Sequence, residues 1–230
     1  MNQTTTSDGT SSRYHHSVGK AAKNKQVKKN ALYDTAFHLF TSKGIAHTSI
    51  SDIAEGAQVA KGTFYLYFKD KYDLRDRLIR HKAAQIMEKA FAALDKTALV
   101  IPEDQIVFLA GHIVSQLTVD KITLRFIAKN LSWGVIRNRL YSTADGDEEE
   151  SSDEKIVSDK IRDLFQSMAR RYRNPEVLMF MIVELVGSTC YSSILEGVPV
   201  SIEELRPYLA DAVRAICRAG ELQNGEPAAD

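Results

Sequence analysis

VAKGTFYLYFKDK, residues 59–71, packs four aromatic rings, a glycine and three lysines into one short stretch. Three readings compete for it: the core face of an ordinary helix, an aromatic ligand site, or a surface built to lie against a phosphate backbone. At 100° per residue Phe64 and Phe68 fall together and read as core. Lys61 flanks them on one side and Tyr67 on the other. Gly62, Thr63, Tyr65 and Leu66 spread over the opposite side, where one narrow inner stripe cannot hold them. The spacing predicts a helix after Val59 that ends near Phe68.

Upstream, Leu32, Ala36, Leu39 and Phe40 recur at helical spacing and predict a helix from Gln26 to Lys43, ended by Gly44. Ser49 with Asp52 three residues on predicts a capped helix start, with Ile50, Ile53 and Ala54 inside and an end by Ala57. Downstream, Asp70 caps a fourth helix that continues through Met87, Phe91 and Leu94. Three helices, the second and third joined by a three- or four-residue turn, make a helix-turn-helix.

The charge is distributed to match. The 230 residues carry no net charge, but residues 20–82 hold 13 Lys and Arg against 6 acids, whereas residues 83–230 hold 16 against 23. A basic block beside an acidic remainder suggests two modules with different partners. By itself a basic block is usually only a solvated face. Lysines 20, 23, 25, 28 and 29 precede the first helix, and Lys69 and Lys71 follow the third. Such flanking cations suit a duplex, most of whose hydrogen bonds to protein are made by its backbone.

The run GIAHTSISDIAEGAQVAKGTFYLYFKDKYDL resembles the DNA-binding signature of TetR-type transcriptional regulators. Ile53-Ala54, Val59, Lys61-Gly62-Thr63-Phe64-Tyr65, Tyr67-Phe68 and Lys71 stand at that family's spacing, over about 50 residues. The resemblance places the third helix in the major groove of double-stranded DNA. Lys61 then suits guanine or phosphate, and Gly62 admits close backbone approach. Thr63 suits a phosphate or a thymine methyl, and Tyr65 and Tyr67 suit phosphate oxygens. Lys71 suits a phosphate shared with free N–H groups at the start of the fourth helix, and Ser49 and Ser51 act likewise at the second. Two departures stand out. Gln58 occupies a turn position where the family commonly has glycine, and Ala60 a cap position where it favours serine.

The remaining sequence reads as helices over 101–117, 121–140, 155–172, 175–195 and 201–219, with an acidic loop at 143–154 and Pro207 a candidate kink. The fold class is therefore all-α. A disordered, basic-ended tail (1–24) is followed by the helix-turn-helix domain (25–72), a helical ligand-binding and dimerisation domain (73–222) and a short tail (223–230). The 175–195 helix is apolar nearly all round, which asks for cover on more than one side. The resemblance implies a homodimer through the last two helices, and Gly187 and Ser188 suit close helix approach there. It also implies a small-molecule effector in the back domain. Phe108, His112, Phe126, Trp133 and Tyr141 are candidate pocket liners, with plain core the alternative for each.

Glu184 interrupts the longest apolar run, so no membrane span is expected, and the polar N-terminus is not a signal peptide. Cys190 and Cys217 read as buried free thiols in a reducing cytosol. The six histidines show no ligand spacing, and no CxxC, HExxH, GxSxG or phosphate-loop pattern occurs, so no metal, cofactor or catalytic role is expected. The sequence points to a cytoplasmic, nucleoid-associated repressor that binds a palindromic operator as a dimer and is released by its effector. An activator of the same fold and a helical module binding only protein are the alternatives.

Overall fold

The computed structural model describes the backbone of residues 10–127 and 152–223 and, within these, the side chains of residues 23–127 and 155–223. Helices α1 (Thr10–Ser42), α2 (Ile50–Gly56), α3 (Lys61–Tyr65), α4 (Lys71–Leu94), α5 (Pro102–Val119) and α6 (Lys121–Ile127) precede the break. Helices α7 (Ser152–Ala169), α8 (Pro175–Leu195) and α9 (Ile202–Gly220) follow it. Among the described residues there is no strand, only one isolated antiparallel bridge between Tyr172 and Glu221. The fold is all-α: an N-terminal helix-turn-helix and a C-terminal helical domain.

The chain forms two compact units, Met1–Leu78 and Ile79–Asp230, so the division falls within α4 and not after residue 72. In the first unit, Leu32, Ala36, Ile53, Phe64, Phe68 and Leu74 are all but excluded from solvent. They come from α1, α2, α3, the turn after it and α4, so each short helix is held by one or two apolar anchors. The Phe68 ring meets both Tyr33 and Phe64 at 5.5 Å between centroids.

Two expectations are corrected here. The first helix starts at Thr10, not near Gln26, so part of the expected tail is helical. No proline interrupts this stretch, and a helix nucleated by the packed Leu32–Phe40 segment propagates into polar residues at little further cost. The reading helix is also shorter than expected. It ends at Tyr65 with Leu66 as C-cap, and Phe68 reaches the core from the turn that follows.

In the second unit, α9 packs on α8 and α5, and α8 also meets α5, α6 and α7. The core divides into one cluster around Phe91, Leu109, Met168, Tyr172 and Val213, and another around Val114, Leu124, Ile127, Cys190 and Leu209. Ser201 and Glu204 form a capping box that starts α9, and the helix runs on through Pro207. Asn174 caps α8, with Pro175 at its first position. By length and composition α8 would suffice to cross a membrane. Its packing against four other helices accounts for the same apolar composition. Both cysteines are buried free thiols. Burial raises both thiols, that of Cys217 to about 11, which keeps them protonated and unreactive.

Candidate nucleic-acid interface

The second and third helices are set by local chemistry. Ser49 Oγ accepts from the Asp52 amide (3.0 Å), and the Asp52 carboxylate accepts from the Ser49 amide (3.1 Å). This capping box replaces two hydrogen bonds that the helix start lacks. The Lys43 ammonium donates to the same carboxylate at 2.6 Å. That bond, with those from Ser49, holds the Asp52 carboxyl down at about 2. Gly44 closes α1 at φ +83°, the left-handed geometry in which glycine carries no penalty.

The turn from α2 to α3 bears both family departures. Gln58 takes φ +55°, a left-handed conformation costing roughly 1–2 kcal/mol for an L-residue. Ala60 stands at the N-cap of α3 and makes no side-chain cap.

One face of α3 carries no packing. Lys61 and Gly62 are exposed, Tyr65 is 53 % exposed and Leu66, just beyond the helix, is 75 % exposed. At 100° per residue these four fall on one contiguous arc, with Phe64 on the other side as the buried anchor. A Cβ placed on Gly62 would meet no protein atom within 4 Å. Neither its backbone conformation nor the surrounding packing demands glycine. Thr63 is half-buried at the edge of the arc, and Ser49 and Ser51 are exposed at the start of α2. Lys23, Lys25 and Lys28 are exposed along α1.

Two expected phosphate contacts are instead engaged within the protein. Tyr67 is buried, and its hydroxyl donates to the Lys25 carbonyl at 3.2 Å, tying the turn after α3 to α1. The Lys71 ammonium donates to the carbonyls of Ile45 (2.8 Å), Thr48 (3.0 Å) and Ala46 (3.3 Å). The amides of Tyr72 and Asp73 at the start of α4 both donate to Asp70 Oδ1, so they are not free for a phosphate either. Tyr72 was not singled out from the sequence. It is half exposed, with Lys71 and Arg75 each over its ring at about 5.5 Å. Leu66 was also passed over as a site residue, although its i,i+4 relation to Gly62 marks it.

Residues 32–78 match the family described as bacterial regulatory proteins, tetR family. The chain belongs to the TetR family. This TetR-family chain is 32 % identical over 117 residues to the fatty acid metabolism regulator protein of Bacillus subtilis, covering 46 % of itself and 60 % of that relative. Over 202 residues it is 21 % identical to the transcriptional repressor KstR2 of Mycobacterium tuberculosis, covering 84 % and 94 %. Its fold is similar to the TetR-family structure from Vibrio parahaemolyticus (TM-score 0.55, 18 % identity, 85 % and 100 % covered). It is similar also to FadR from Bacillus subtilis in complex with stearoyl-CoA (TM-score 0.53, 16 % identity, 80 % and 97 % covered).

The second unit holds a cavity of about 110 Å³. Ile86, Met87, Ile113, Phe165, Met179 and Val186 are among its lining residues, and every side chain lining it is apolar among the described residues. This corrects the expected pocket. Phe108, His112 and Phe126 do not line the cavity; Phe108 stacks on His112 at 5.9 Å and Phe126 packs against the core. Trp133 and Tyr141 lie outside the described residues. Gly187 lines the cavity, whereas Ser188 is exposed.

Proposed function

We propose that this TetR-family chain is a sequence-specific DNA-binding transcriptional regulator, a repressor, that binds an inverted-repeat operator as a homodimer and is released by a small-molecule effector. The observation that carries the DNA-binding part is the bare arc of α3. Lys61, Gly62, Tyr65 and Leu66 stand together in solvent, and Gly62 serves no internal purpose. In a major groove Lys61 donates to guanine O6 or N7, the Leu66 side chain meets thymine methyl groups, and Gly62 lets the backbone come close. Tyr65, Thr63, Ser49 and Ser51 supply hydroxyls to phosphates, and the exposed lysines of α1 add charge alongside. No catalytic step is assigned, and the chain acts in the cytoplasm at the nucleoid.

Dimerisation is supported by α8. Val177, Phe180 and Met181 are each roughly half exposed and share one face at i, i+3 and i+4. A second copy covering this face accounts for a helix that is apolar on all sides. It also gives the two reading heads that an inverted-repeat operator requires. The cavity supports an effector with an apolar body. At about 110 Å³ it is well below the roughly 300–1,000 Å³ of drug-sized sites and takes a hydrocarbon segment with its polar end elsewhere. An effector that binds one head spacing better than another shifts the population toward it. The names of the Bacillus relatives, a fatty acid regulator and a stearoyl-CoA complex, agree with that chemistry.

Selection from a random-sequence duplex library tests the reading directly. The expected outcome is an enriched inverted repeat, bound with an affinity that falls steeply with salt at about 0.9 log units per phosphate neutralised. A flat salt profile with no enrichment supports the protein-only module instead. Converting Met181 to Glu should yield monomers in analytical ultracentrifugation and weaken operator binding.

A further inference from the structure

We infer that Lys71 is a positioning residue for the DNA-reading surface and not a phosphate contact. This rests on the DNA-binding reading above and goes beyond it, because it assigns a lysine inside a basic, DNA-facing sequence to an internal task.

The geometry is specific. Lysine has three N–H donors and no acceptor. The three carbonyls of Ile45, Thr48 and Ala46, at 2.8, 3.0 and 3.3 Å, match that number. A phosphate oxygen would have to displace one of them. All three carbonyls belong to the loop between α1 and α2, which leaves α1 at the positive-φ Gly44 and enters α2 at Ser49. The loop has few backbone bonds of its own. The Thr48 amide reaches the Ile45 carbonyl at 3.3 Å, and the buried Thr48 hydroxyl donates to Gly44 at 2.9 Å. Lys71 therefore fastens the first turn of α4 to the entry of α2. The segment between them, α2, the Gln58 turn and α3, is closed into a loop whose two ends are held together. α3 has only five residues and no side-chain cap, so its own hydrogen bonds do little to fix its direction. The clamp sets where Ser49 and Ser51 stand relative to Lys61 and Tyr65.

Charge and geometry separate this role from a phosphate contact. Arginine keeps the charge, but its planar fork cannot converge on three carbonyls around one point. The experiment compares the wild-type chain with Lys71→Arg and Lys71→Met on two probes. These are the duplex enriched by the wild-type chain and a scrambled duplex of equal length, titrated from 50 to 300 mM NaCl well below each variant's unfolding midpoint. The expected result is that both variants lose about tenfold or more in affinity for the enriched duplex. Their preference over the scrambled one falls, and the log–log salt slope of the wild type is kept. Lys71→Arg with wild-type affinity, or Lys71→Met with equal losses on both duplexes and a slope shallower by about 0.9, overturns the inference. Because Lys71→Met can fail to fold, a second measurement uses the wild type alone. Lysine-selective ¹⁵N spectra should show slowly exchanging Lys71 ammonium protons in the free chain, with a resonance that moves less than that of Lys61 when duplex is added. A larger shift at Lys71 than at Lys61 overturns the inference. A wild-type chain that binds no duplex overturns the proposed function and this inference together, whereas a wild type that binds beside a fully active Lys71→Arg overturns this inference alone.

Discussion

Lys61, Tyr65 and Leu66 stand in solvent on a five-residue helix, whereas Met87, Ile113 and Val186 enclose a cavity between long ones. In the first region the side chains proposed to act do no packing, and other residues hold them in place. Phe64 and Phe68 anchor the helix, Tyr67 ties its far end to α1, and Lys71 clamps the loop before α2. In the second region the residues proposed to receive a ligand are themselves the core. A site of the first kind can be altered without touching stability. One of the second kind cannot, because removing a lining side chain enlarges a void and filling the void removes the site.

The strongest way to break that contrast is to strip the α3 arc. Lys61→Ala with Tyr65→Ala should lower affinity for the enriched duplex by about 100-fold or more, taking roughly 1–3 kcal/mol for each group-to-base or charged phosphate contact. The thermal midpoint should stay within about 1 °C of wild type, since neither side chain is buried. A large fall in midpoint would show that the arc supports the fold after all. On the other side, Ala110→Leu places three carbons into the cavity that Ala110 lines. Binding of a fluorescent long-chain fatty acid should weaken by about tenfold, with circular dichroism unchanged and operator affinity near wild type. Retained probe binding would place the effector elsewhere.

The same contrast explains what was legible in the sequence. Helix boundaries followed from caps and glycines with defined jobs: Ser49 and Asp52, Asp70, Gly44, Pro102 and Ser201. The bare arc of α3 was legible because a tyrosine, a leucine and a glycine outside the apolar stripe have no packing reason to be there. Tyr67 and Lys71 misled for the opposite reason. A lysine and a tyrosine hydroxyl offer the same donors to a carbonyl as to a phosphate, and only the folded chain shows which acceptor lies in reach. The cavity was illegible because its lining is Ile, Met, Val and Phe, residues that pattern as core wherever they fall. Polar-tipped aromatics such as His112 attracted attention and turned out to stack in the interior. The early start of α1 was missed because polar composition was read as disorder, although a packed helix downstream can carry such residues along.

A finer cut at the α3 face uses Gly62. Alanine there meets no protein atom and improves helix propensity, so stability should hold or rise by up to about 1 kcal/mol. Operator affinity should nevertheless fall several-fold, because the added methyl group occupies the space through which a base edge approaches. Stability and affinity would thus move in opposite directions at one atom. If both rise, Gly62 faces solvent rather than a groove, and the α3 arc loses its most specific feature.

The smallest effect concerns how firmly that arc is held. Gln58 sits at φ +55° in the turn that delivers α3, and its left-handed conformation costs roughly 1–2 kcal/mol that glycine avoids. Glycine in turn loses more chain entropy on folding, about 0.5–1 kcal/mol, so Gln58→Gly should raise stability by only about 0.5 kcal/mol. That is a shift of a few degrees in midpoint for a small domain. Lys71 and Tyr67 fix the two ends of the segment independently of the turn's own strain, so operator affinity should change by less than twofold. A gain in affinity well beyond twofold would mean that the turn, and not the two end tethers, governs where Lys61 and Tyr65 point. The division between packing residues and reading residues would then have to be redrawn to include Gln58.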